Sequence, residues 1–301
     1  MKKDFDVIII GAGVAGMTSA IYLKRAGLSC CLIEKGMYGG QINLSPKVEN
    51  YPGLIDVSGT ELTSNMFQQV KNLGIELINS EVIKVEFSKE KKEVFLKDKT
   101  LTSDKVIIAT GRRPRKLDVP NAKSLEGKGI SYCAVCDGNF FRDQDVVIVG
   151  GGSSAFEEAL YLSKICNKVT IINRSDSLRA ESYYLDRVKR ANNIEILYNS
   201  KVIELNEEKG LLNSVIVLID GKQKEILSAG CFVCIGYEPN TELFTEVNKT
   251  SDGYIIVDKN KATNINGVYA IGDVIKKDIF QLTTAISDGT IAAINCIKNI
   301  D

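Results

Sequence analysis

Two glycine-rich turns, 139 residues apart, constrain this 301-residue chain more than any other feature. The first, Gly11-Ala12-Gly13-Val14-Ala15-Gly16, follows the apolar run from Asp6 to Ile10. A helical pattern to about Gly27 and a second apolar strand from Leu28 to Glu34 come next. The second turn, Gly150-Gly151-Gly152-Ser153-Ser154-Ala155, follows Val146 to Val149. It leads into a helical pattern from Phe156 to Cys166 and a strand from Lys168 to Ile172. The offset is uniform: Gly11 corresponds to Gly150, Gly13 to Gly152 and Glu34 to Asn173. Each copy is a βαβ opening of the kind that binds a dinucleotide. The first glycine permits the tight turn and the second lets the backbone approach a pyrophosphate. The third position, Gly16 or Ala155, lets helix and strand pack closely. The free amides and positive dipole end of the helix then face the phosphates. An α/β chain with two dinucleotide-binding units is the economical reading, and the length, about twice an ordinary domain, agrees.

The remaining segments fit around these units. Gly36 to Gly53 is a long loop, and Ser58 or Thr60 can cap a helix that Gly74 ends. Short β-like runs cover Glu81 to Phe87 and Glu93 to Leu96, and Lys105 to Ala109 is a buried strand. Gly111 to Lys123, with Pro114 and Pro120, is a linker. From about Pro239 the texture changes again. Strands are expected at Tyr254 to Val257 and Val268 to Ile271, with an amphipathic helix from about Gln281.

The two units differ after their second strands. Glu34 stands where a carboxylate can accept hydrogen bonds from ribose hydroxyls. Its counterpart is Asn173, with Arg174 beside it and Arg179 nearby. A carboxylate there would repel a ribose 2′-phosphate, whereas arginines can bind it. The alternative for Arg174 is a solvated strand end.

Composition excludes several chemistries. With no histidine, neither Ser-His-Asp nor Cys-His catalysis nor an HExxH zinc site is possible. Lys plus Arg and Asp plus Glu are both 38, so charge gives no reason to expect nucleic acid or an anionic membrane as partner. No run approaches the roughly 18 apolar residues of a membrane span. The start, with Lys2, Lys3, Val7 to Ile10 and Ser19-Ala20, imitates a signal peptide, but Asp4, Asp6 and the glycines break the pattern. A cytoplasmic location is expected. Six of the eight cysteines (Cys30, Cys31, Cys166, Cys231, Cys234, Cys296) sit in apolar runs and read as small buried hydrophobes. Cys231 and Cys234 have CxxC spacing, but in a strand-like run their side chains point to opposite faces.

The other pair, Cys133-Ala134-Val135-Cys136-Asp137, carries chemistry. Two thiols at this spacing can close a small disulfide, one thiolate attacking a partner disulfide and the other resolving it. Asp137 can donate or accept the accompanying proton. Half of a zinc site is the structural alternative, but no second ligand set accompanies it, so no metal is expected.

With these motifs the chain resembles the low-molecular-weight thioredoxin reductases over essentially its whole length. Gly39-Gly40-Gln41, continuing to Val48-Glu49-Asn50-Tyr51-Pro52-Gly53, is similar to the family's flavin-contacting loop. Gly129 to Gly138 is nearly the family redox motif. Ala109-Thr110-Gly111, Gly236-Tyr237-Glu238-Pro239-Asn240-Thr241 and Gly272-Asp273-Val274 also match family segments. The resemblance implies two Rossmann-like, three-layer ββα domains. An FAD domain (1–115 and 240–301) would be interrupted by an NAD(P)H domain (116–239) that carries the CxxC. The FAD contacts would come from Gly11, Gly13, Ala15, Gly16, Glu34 and Lys35, from Gly39, Gly40, Gln41, Asn50 and Gly111, and from Gly272, Asp273 and Gln281. Glu34 would hold the adenosine ribose and Asp273 the ribityl chain, with the last helix pointing its positive end at the flavin. The nicotinamide nucleotide would meet Gly150, Gly152, Ser153, Ser154, Ala155, Arg174 and Arg179. Electrons would pass from NADPH or NADH through FAD to Cys133–Cys136, then to a thioredoxin. The inserted domain would rotate about hinges near Lys116 and Tyr237. A homodimer is also implied.

Three positions depart from the family. NADPH-using members usually carry His-Arg-Arg, three residues, then Arg, where this chain has Asn173-Arg174-Ser175-Asp176-Ser177-Leu178-Arg179. Losing one charged phosphate contact costs about 1.5–3 kcal/mol, one to two decades of affinity. Ser153 occupies the variable position of the second glycine turn, and Ile279-Phe280-Gln281 replaces Tyr-Arg-Gln. The electron donor is thereby left among NADPH, NADH and a one-electron carrier such as ferredoxin, although the intact second glycine turn counts against a carrier. A peroxidase-linked flavoprotein usually has an additional N-terminal domain, whereas this sequence opens on its first strand. A ferredoxin–NADP reductase would lack the CxxC, and a non-enzymatic nucleotide sensor would need neither the pair nor Asp137.

Overall fold

The structure is a computed structural model that describes residues 3–45, 47–87 and 90–298; Lys2 of the basic start lies outside them. The chain opens with β1 (Phe5–Ile10), α1 (Val14–Arg25) and β2 (Cys30–Glu34). Next come α2 (Gly59–Asn72), β3 (Glu76–Asn79), β4 (Val82–Phe87), β5 (Lys92–Leu96) and β6 (Thr100–Ile108). After β7 (Arg112–Pro114) follow β8 (Ile130–Ser131), α3 (Ala134–Asp137), β9 (Asp145–Val149), α4 (Ser153–Leu162) and β10 (Lys168–Ile172). Then come α5 (Ser182–Lys189), β11 (Ile194–Leu197), β12 (Ser200–Glu208), β13 (Leu211–Ile219), β14 (Lys222–Leu227) and β15 (Gly230–Val233). The chain ends with β16 (Tyr237–Pro239), β17 (Val268–Ala270) and α6 (Leu282–Lys298). Two compact units result: Met1–Arg113 with Glu238–Asp301, and Pro114–Tyr237. The two chain crossings, β7 and β16, pair with each other.

The first unit is built on a seven-stranded sheet in the order β3-β2-β1-β6-β5-β4, with β17 also pairing to β6. Its centre is parallel, with Ile9 opposite Leu32 on one side and Ile107 on the other. A central parallel strand is buried on both faces, which is why β1 is continuously apolar rather than alternating. Val7 and Ile9 join α1, α2 and α6 in one cluster, while Ile8 and Ile10 join Phe87, Phe244 and Ile275 in another. Each such side chain, removed from water, contributes about 1.5–3 kcal/mol.

The second unit repeats the plan with a parallel sheet, β11-β10-β9-β15-β8. Val147 and Val149 pack with Val202, Leu205, Val215 and Val217 of the antiparallel meander β12-β13-β14. Val146 and Ile148 pack with Phe156, Ala159 and Leu162 of α4. Meander, sheet and helices make three layers, the architecture that the family resemblance implies.

The structure refines the expected elements at several points. Tyr254 to Val257 forms isolated bridges only, through Ile255 to Lys249 and Ile275; of those four residues Ile255 alone is buried, so no ladder is sheltered there. The second helix begins at Ser153 and closes at Leu162, leaving Cys166 in the turn beyond. The expected linker begins as β7, and the Gly36 to Gly53 loop contains a 3-10 turn, Gly40–Leu44. Ser58 rather than Thr60 caps α2, accepting the Glu61 amide at 3.1 Å. No helix among the described residues is long and apolar enough to cross a membrane.

Candidate active site: two glycine turns and a cysteine pair

Gly11 takes φ +111°, and a Cβ there would lie 2.3 Å from the Ala109 carbonyl oxygen, so the turn admits only glycine. Gly13 begins α1 with no side-chain cap. A Cβ on Gly13 would meet nothing closer than the Gly39 oxygen, at 4.0 Å. No side chain takes up the first-turn amides of α1, an arrangement that suits a pyrophosphate. The second turn repeats this. Gly150 has φ +151° with a Cβ position 2.3 Å from the Cys234 oxygen, and Gly152 begins α4 uncapped, with nothing within 4 Å.

Glu34 ends β2 and turns back to the first glycine turn. Oε2 accepts the Ala12 amide at 3.0 Å, and Oε1 accepts the Gly36 amide at 3.0 Å. Each oxygen keeps a further lone pair for a ribose hydroxyl. Gly39 donates to the Ala12 oxygen at 2.8 Å, drawing the Gly39-Gly40-Gln41 segment alongside the turn. Gln41 Nε2 donates to the Arg112 oxygen, and Arg112 Nε lies 3.2 Å from Asp273 Oδ2. Lys277 lies 3.3 Å from the other Asp273 oxygen. Asn50 Nδ2 donates to Gln281 Oε1 at 3.1 Å, joining residues 231 apart in sequence. Gly111 is tied to the same unit through its oxygen, which accepts the Asn240 amide at 3.0 Å. Lys35 is the exception: it is exposed and pairs with Glu81 at 3.8 Å. Phe280, standing where the family carries arginine, lies under the Arg112 guanidinium, 4.1 Å from the ring centroid. Arg112 was invisible as a site residue because nothing in its local sequence ties it to Asp273.

Around the second turn, Arg179 donates its amide to the Gly151 oxygen at 2.9 Å. Arg174 and Arg179 are both exposed. Asn173 is buried, and its Nδ2 donates to the oxygens of Ser175 and Ser177, both at 2.9 Å. Ser175 Oγ donates to the Ser177 oxygen at 2.8 Å. The 173–179 loop is thus closed on itself. Ser153 Oγ accepts the Glu181 amide at 3.1 Å, and Ser154 is exposed at the start of α4.

Cys133 and Cys136 are joined as a disulfide with Cα atoms 5.4 Å apart. Cys133 caps α3, its sulfur accepting the Cys136 amide at 3.2 Å, a contact that favours a thiolate once the bond is reduced. Cys133 is half-buried and Cys136 exposed. Ser131, fully inside, accepts the Cys133 amide at 3.1 Å and donates to Asp137 Oδ2 at 2.7 Å. That hydroxyl fixes Asp137 beside the pair; a single serine two residues before a cysteine gave no sequence signal of it. Cys30, Cys31, Cys166, Cys231 and Cys296 are buried. Burial pushes Cys30 and Cys166 up to about 11, and Cys231 and Cys296 up to about 12, which makes them unreactive at neutral pH. Cys234 packs against the core on the face opposite Cys231 but is less buried than the other five. It lies just past β15, is half-buried, and its thiol donates to Glu158 Oε2 at 3.0 Å.

Residues 5–289 match the family model described as pyridine nucleotide-disulphide oxidoreductase. The chain belongs to that family. It is 42% identical over 295 residues to a thioredoxin reductase of Bacillus subtilis (strain 168), covering 97% of this chain and 93% of that protein. A crystal structure of Lactococcus lactis thioredoxin reductase superposes with a TM-score of 0.94 at 38% identity, covering 98% of each chain. The thioredoxin reductase of T. acidophilum gives a TM-score of 0.92 at 32% identity, covering 99% of each. The chain is therefore an oxidoreductase of the disulfide-reductase flavoenzyme class. Its family implies flavin and nicotinamide cofactors, and two uncapped glycine turns with open backbone fit two such nucleotides.

Proposed function

We propose that the chain is a thioredoxin reductase, passing electrons from NADPH or NADH through FAD to Cys133–Cys136 and then to the disulfide of a thioredoxin-like protein. The observation that carries this reading is the disulfide seated on α3, with Asp137 held beside it by Ser131, in the same unit as the second glycine turn. The unit containing Glu34 and Asp273 holds FAD, and the inserted unit holds the nicotinamide nucleotide. The bound nucleotides supply hydride and electron transfer. The chain's own residues do the rest. The two sulfurs take up two electrons and two protons as a dithiol, and one thiolate then attacks the partner disulfide while the other resolves the mixed disulfide. Asp137 donates or accepts the proton as the pair changes state. A thioredoxin-like partner, a homodimer and a cytoplasmic location belong to this proposal and are supported by likeness to the named relatives.

NADH as donor has an observation in its favour. The 173–179 loop satisfies its own polar groups through Asn173 and Ser175, leaving two exposed arginines as the cationic contacts for a 2′-phosphate. The test is anaerobic titration of the yellow protein with NADPH and, separately, NADH, following flavin bleaching and then reoxidation by thioredoxin. Bleaching by either, passed on to thioredoxin, is expected. In Cys136→Ser the flavin is expected to remain bound and to bleach, with thioredoxin reduction abolished. Retained thioredoxin turnover in that variant overturns the assignment of the pair.

A further inference from the structure

Glu158 is a carboxyl group of the second unit with no part in the steps above. It projects from α4, which packs so tightly on the end of α3 that a Cβ on Gly138, the residue following α3, would lie 2.9 Å from Leu162 Cδ2 and 3.2 Å from the Tyr161 ring. Two neighbours meet its carboxyl. Cys234 donates its thiol to Oε2 at 3.0 Å. The amide of Ala134, the fully buried residue that follows Cys133, approaches it and favours its charged form. Cys234 is also the residue whose carbonyl closes on Gly150. Glu158 therefore sits between the backbone of the redox turn and the backbone of the nucleotide turn.

We propose that Glu158 is a positioning residue for the redox pair, holding a proton behind the Cys133–Cys136 turn so that its charge state sets how readily the reduced pair forms a thiolate. This rests on the reading of that pair as the redox centre. Burial raises the Glu158 carboxyl to about 7, against the pull of the Cys234 thiol and the Ala134 amide and with a small push from Glu157. It thus changes charge near neutral pH. Other titratable groups on the elements packed against α4 are engaged elsewhere or face solvent. Asp137 of α3 binds Ser131, Asp145 of β9 binds Asn167, Lys168 of β10 pairs with Glu195, and Arg187 of α5 binds Tyr183. Asp186 and Lys189 of α5 are exposed, Tyr184 packs edge-on against Tyr183, and Cys231 lies buried in β15. The sign follows from Coulomb's law. Below its pKa Glu158 is neutral and does not oppose a thiolate; above it, the carboxylate raises the thiol pKa. Reciprocally, a thiolate raises the pKa of Glu158, so the two titrations are coupled.

The test uses the FAD-loaded enzyme, reduced with dithiothreitol and alkylated with iodoacetamide from about pH 5.5 to 9.5, a range spanning carboxyl and thiol titrations. Labelling of Cys133 and Cys136 is read peptide by peptide by mass spectrometry. The wild-type rate profile is expected to inflect near 7 as well as at the thiol pKa. In Glu158→Gln the lower inflection disappears, and labelling near pH 8 rises about 3–10-fold, the equivalent of half to one pKa unit. Cys234→Ala moves the lower inflection upward by removing a donor, and Cys234→Ser, which keeps one, returns it. A packing role alone would lower the melting temperature and leave the inflection where it is. A Glu158→Gln profile that superposes on wild type overturns the proposal. Should that variant fail to fold, an unmoved inflection in Cys234→Ala overturns it instead. If reduction exposes no label on either Cys133 or Cys136, the redox reading falls and this proposal with it; labelling with an unmoved profile removes this proposal alone.

Discussion

In the first unit the chain returns past its glycine turn with Gly39, whose amide donates to the Ala12 oxygen at 2.8 Å. In the second, Arg179 makes the same return, donating to the Gly151 oxygen at 2.9 Å. The backbones are alike; the strand ends that follow them are not. Glu34 uses both oxygens on backbone amides yet keeps lone pairs facing outward. Asn173 is buried and spends its amide on the carbonyls of its own loop. The first strand end keeps acceptor capacity beyond its own bonds; the second rigidifies its loop, with Arg174 and Arg179 the exposed cations beside it that we propose meet a 2′-phosphate. A duplicated scaffold thus keeps the glycine turn, which geometry dictates, and lets the strand end that follows it diverge.

The largest expected effect separates the two units. Gly11→Ala places a Cβ 2.3 Å from a backbone oxygen at φ +111°, and Gly150→Ala places one equally close to the Cys234 oxygen at φ +151°. Backbone strain and overpacking together cost about 2–5 kcal/mol at such a position. Gly11→Ala is expected to purify colourless or fail to fold. Gly150→Ala should stay yellow and lose bleaching by nicotinamide nucleotide. Flavin absorbance per mole of protein and a urea midpoint check both; a colourless Gly150→Ala would reverse the assignment of nucleotides to units.

Next in size is Ser175→Arg, which adds a cation where the loop now hydrogen-bonds to itself. A charged phosphate contact of about 1.5–3 kcal/mol predicts a rise of roughly 10–100-fold in the ratio of kcat/KM for NADPH over NADH. An unchanged ratio would mean that the 2′-position lies out of reach of residue 175.

Both turns and the CxxC were legible in the sequence because their geometry admits few residue types at fixed spacing. The meander β12-β13-β14 was not. Its solvent face interleaves Lys201, Glu204, Lys222 and Lys224 with the core residues Val202, Leu205, Val215 and Val217, and only the partner layer reveals which half of that alternation is buried. Tyr254 to Val257 misled for the opposite reason: β-branched residues suggest a strand, but one of the four is buried, and the segment forms isolated bridges through Ile255 rather than a ladder. Ser131 and Glu158 were illegible because their meaning lies in a contact. A serine near a cysteine, or one of two consecutive glutamates in a helix, has no pattern until Asp137 or Cys234 is seen beside it.

The strand-end contrast is sharpened by paired substitutions. Glu34→Gln turns an amide group toward either the Ala12 or the Gly36 amide, so one hydrogen bond is lost and a donor faces a donor. FAD affinity is expected to fall about tenfold, roughly 1–2 kcal/mol, with little change in donor kinetics. Asn173→Asp places a carboxylate against the Ser175 and Ser177 carbonyls. Donor KM is expected to rise several-fold while FAD affinity holds. Equal effects of both variants on FAD release would dissolve the distinction between the two strand ends.

The smallest effect concerns where each first strand begins. Asp6 and Asp145 are the equivalent residues, 139 apart, and each clasps the start of the following strand. Asp6 accepts from the Ser29 hydroxyl at 2.7 Å and the Ser29 amide at 2.8 Å, and Lys3 lies 2.6 Å from its other oxygen. Asp145 accepts from Asn167 Nδ2 at 2.7 Å. Burial disfavours the Asp6 carboxylate, but Lys3 and Ser29 outweigh it and bring the group down to about 2. The native state therefore binds fewer protons than the unfolded chain between the ordinary aspartate value, about 3.9, and about 2. The stability this supplies is fully present above the ordinary value and is lost as pH falls toward about 2. Asp6→Asn should cost about 1–2 kcal/mol at neutral pH and converge with wild type in acid. Asp145→Asn replaces a charged acceptor of the Asn167 amide by a neutral one and should cost about 1 kcal/mol or less. Urea midpoints at neutral pH and in acid check both, and an Asp6→Asn penalty that persists undiminished in acid would show that packing, not charge, holds the start of β1.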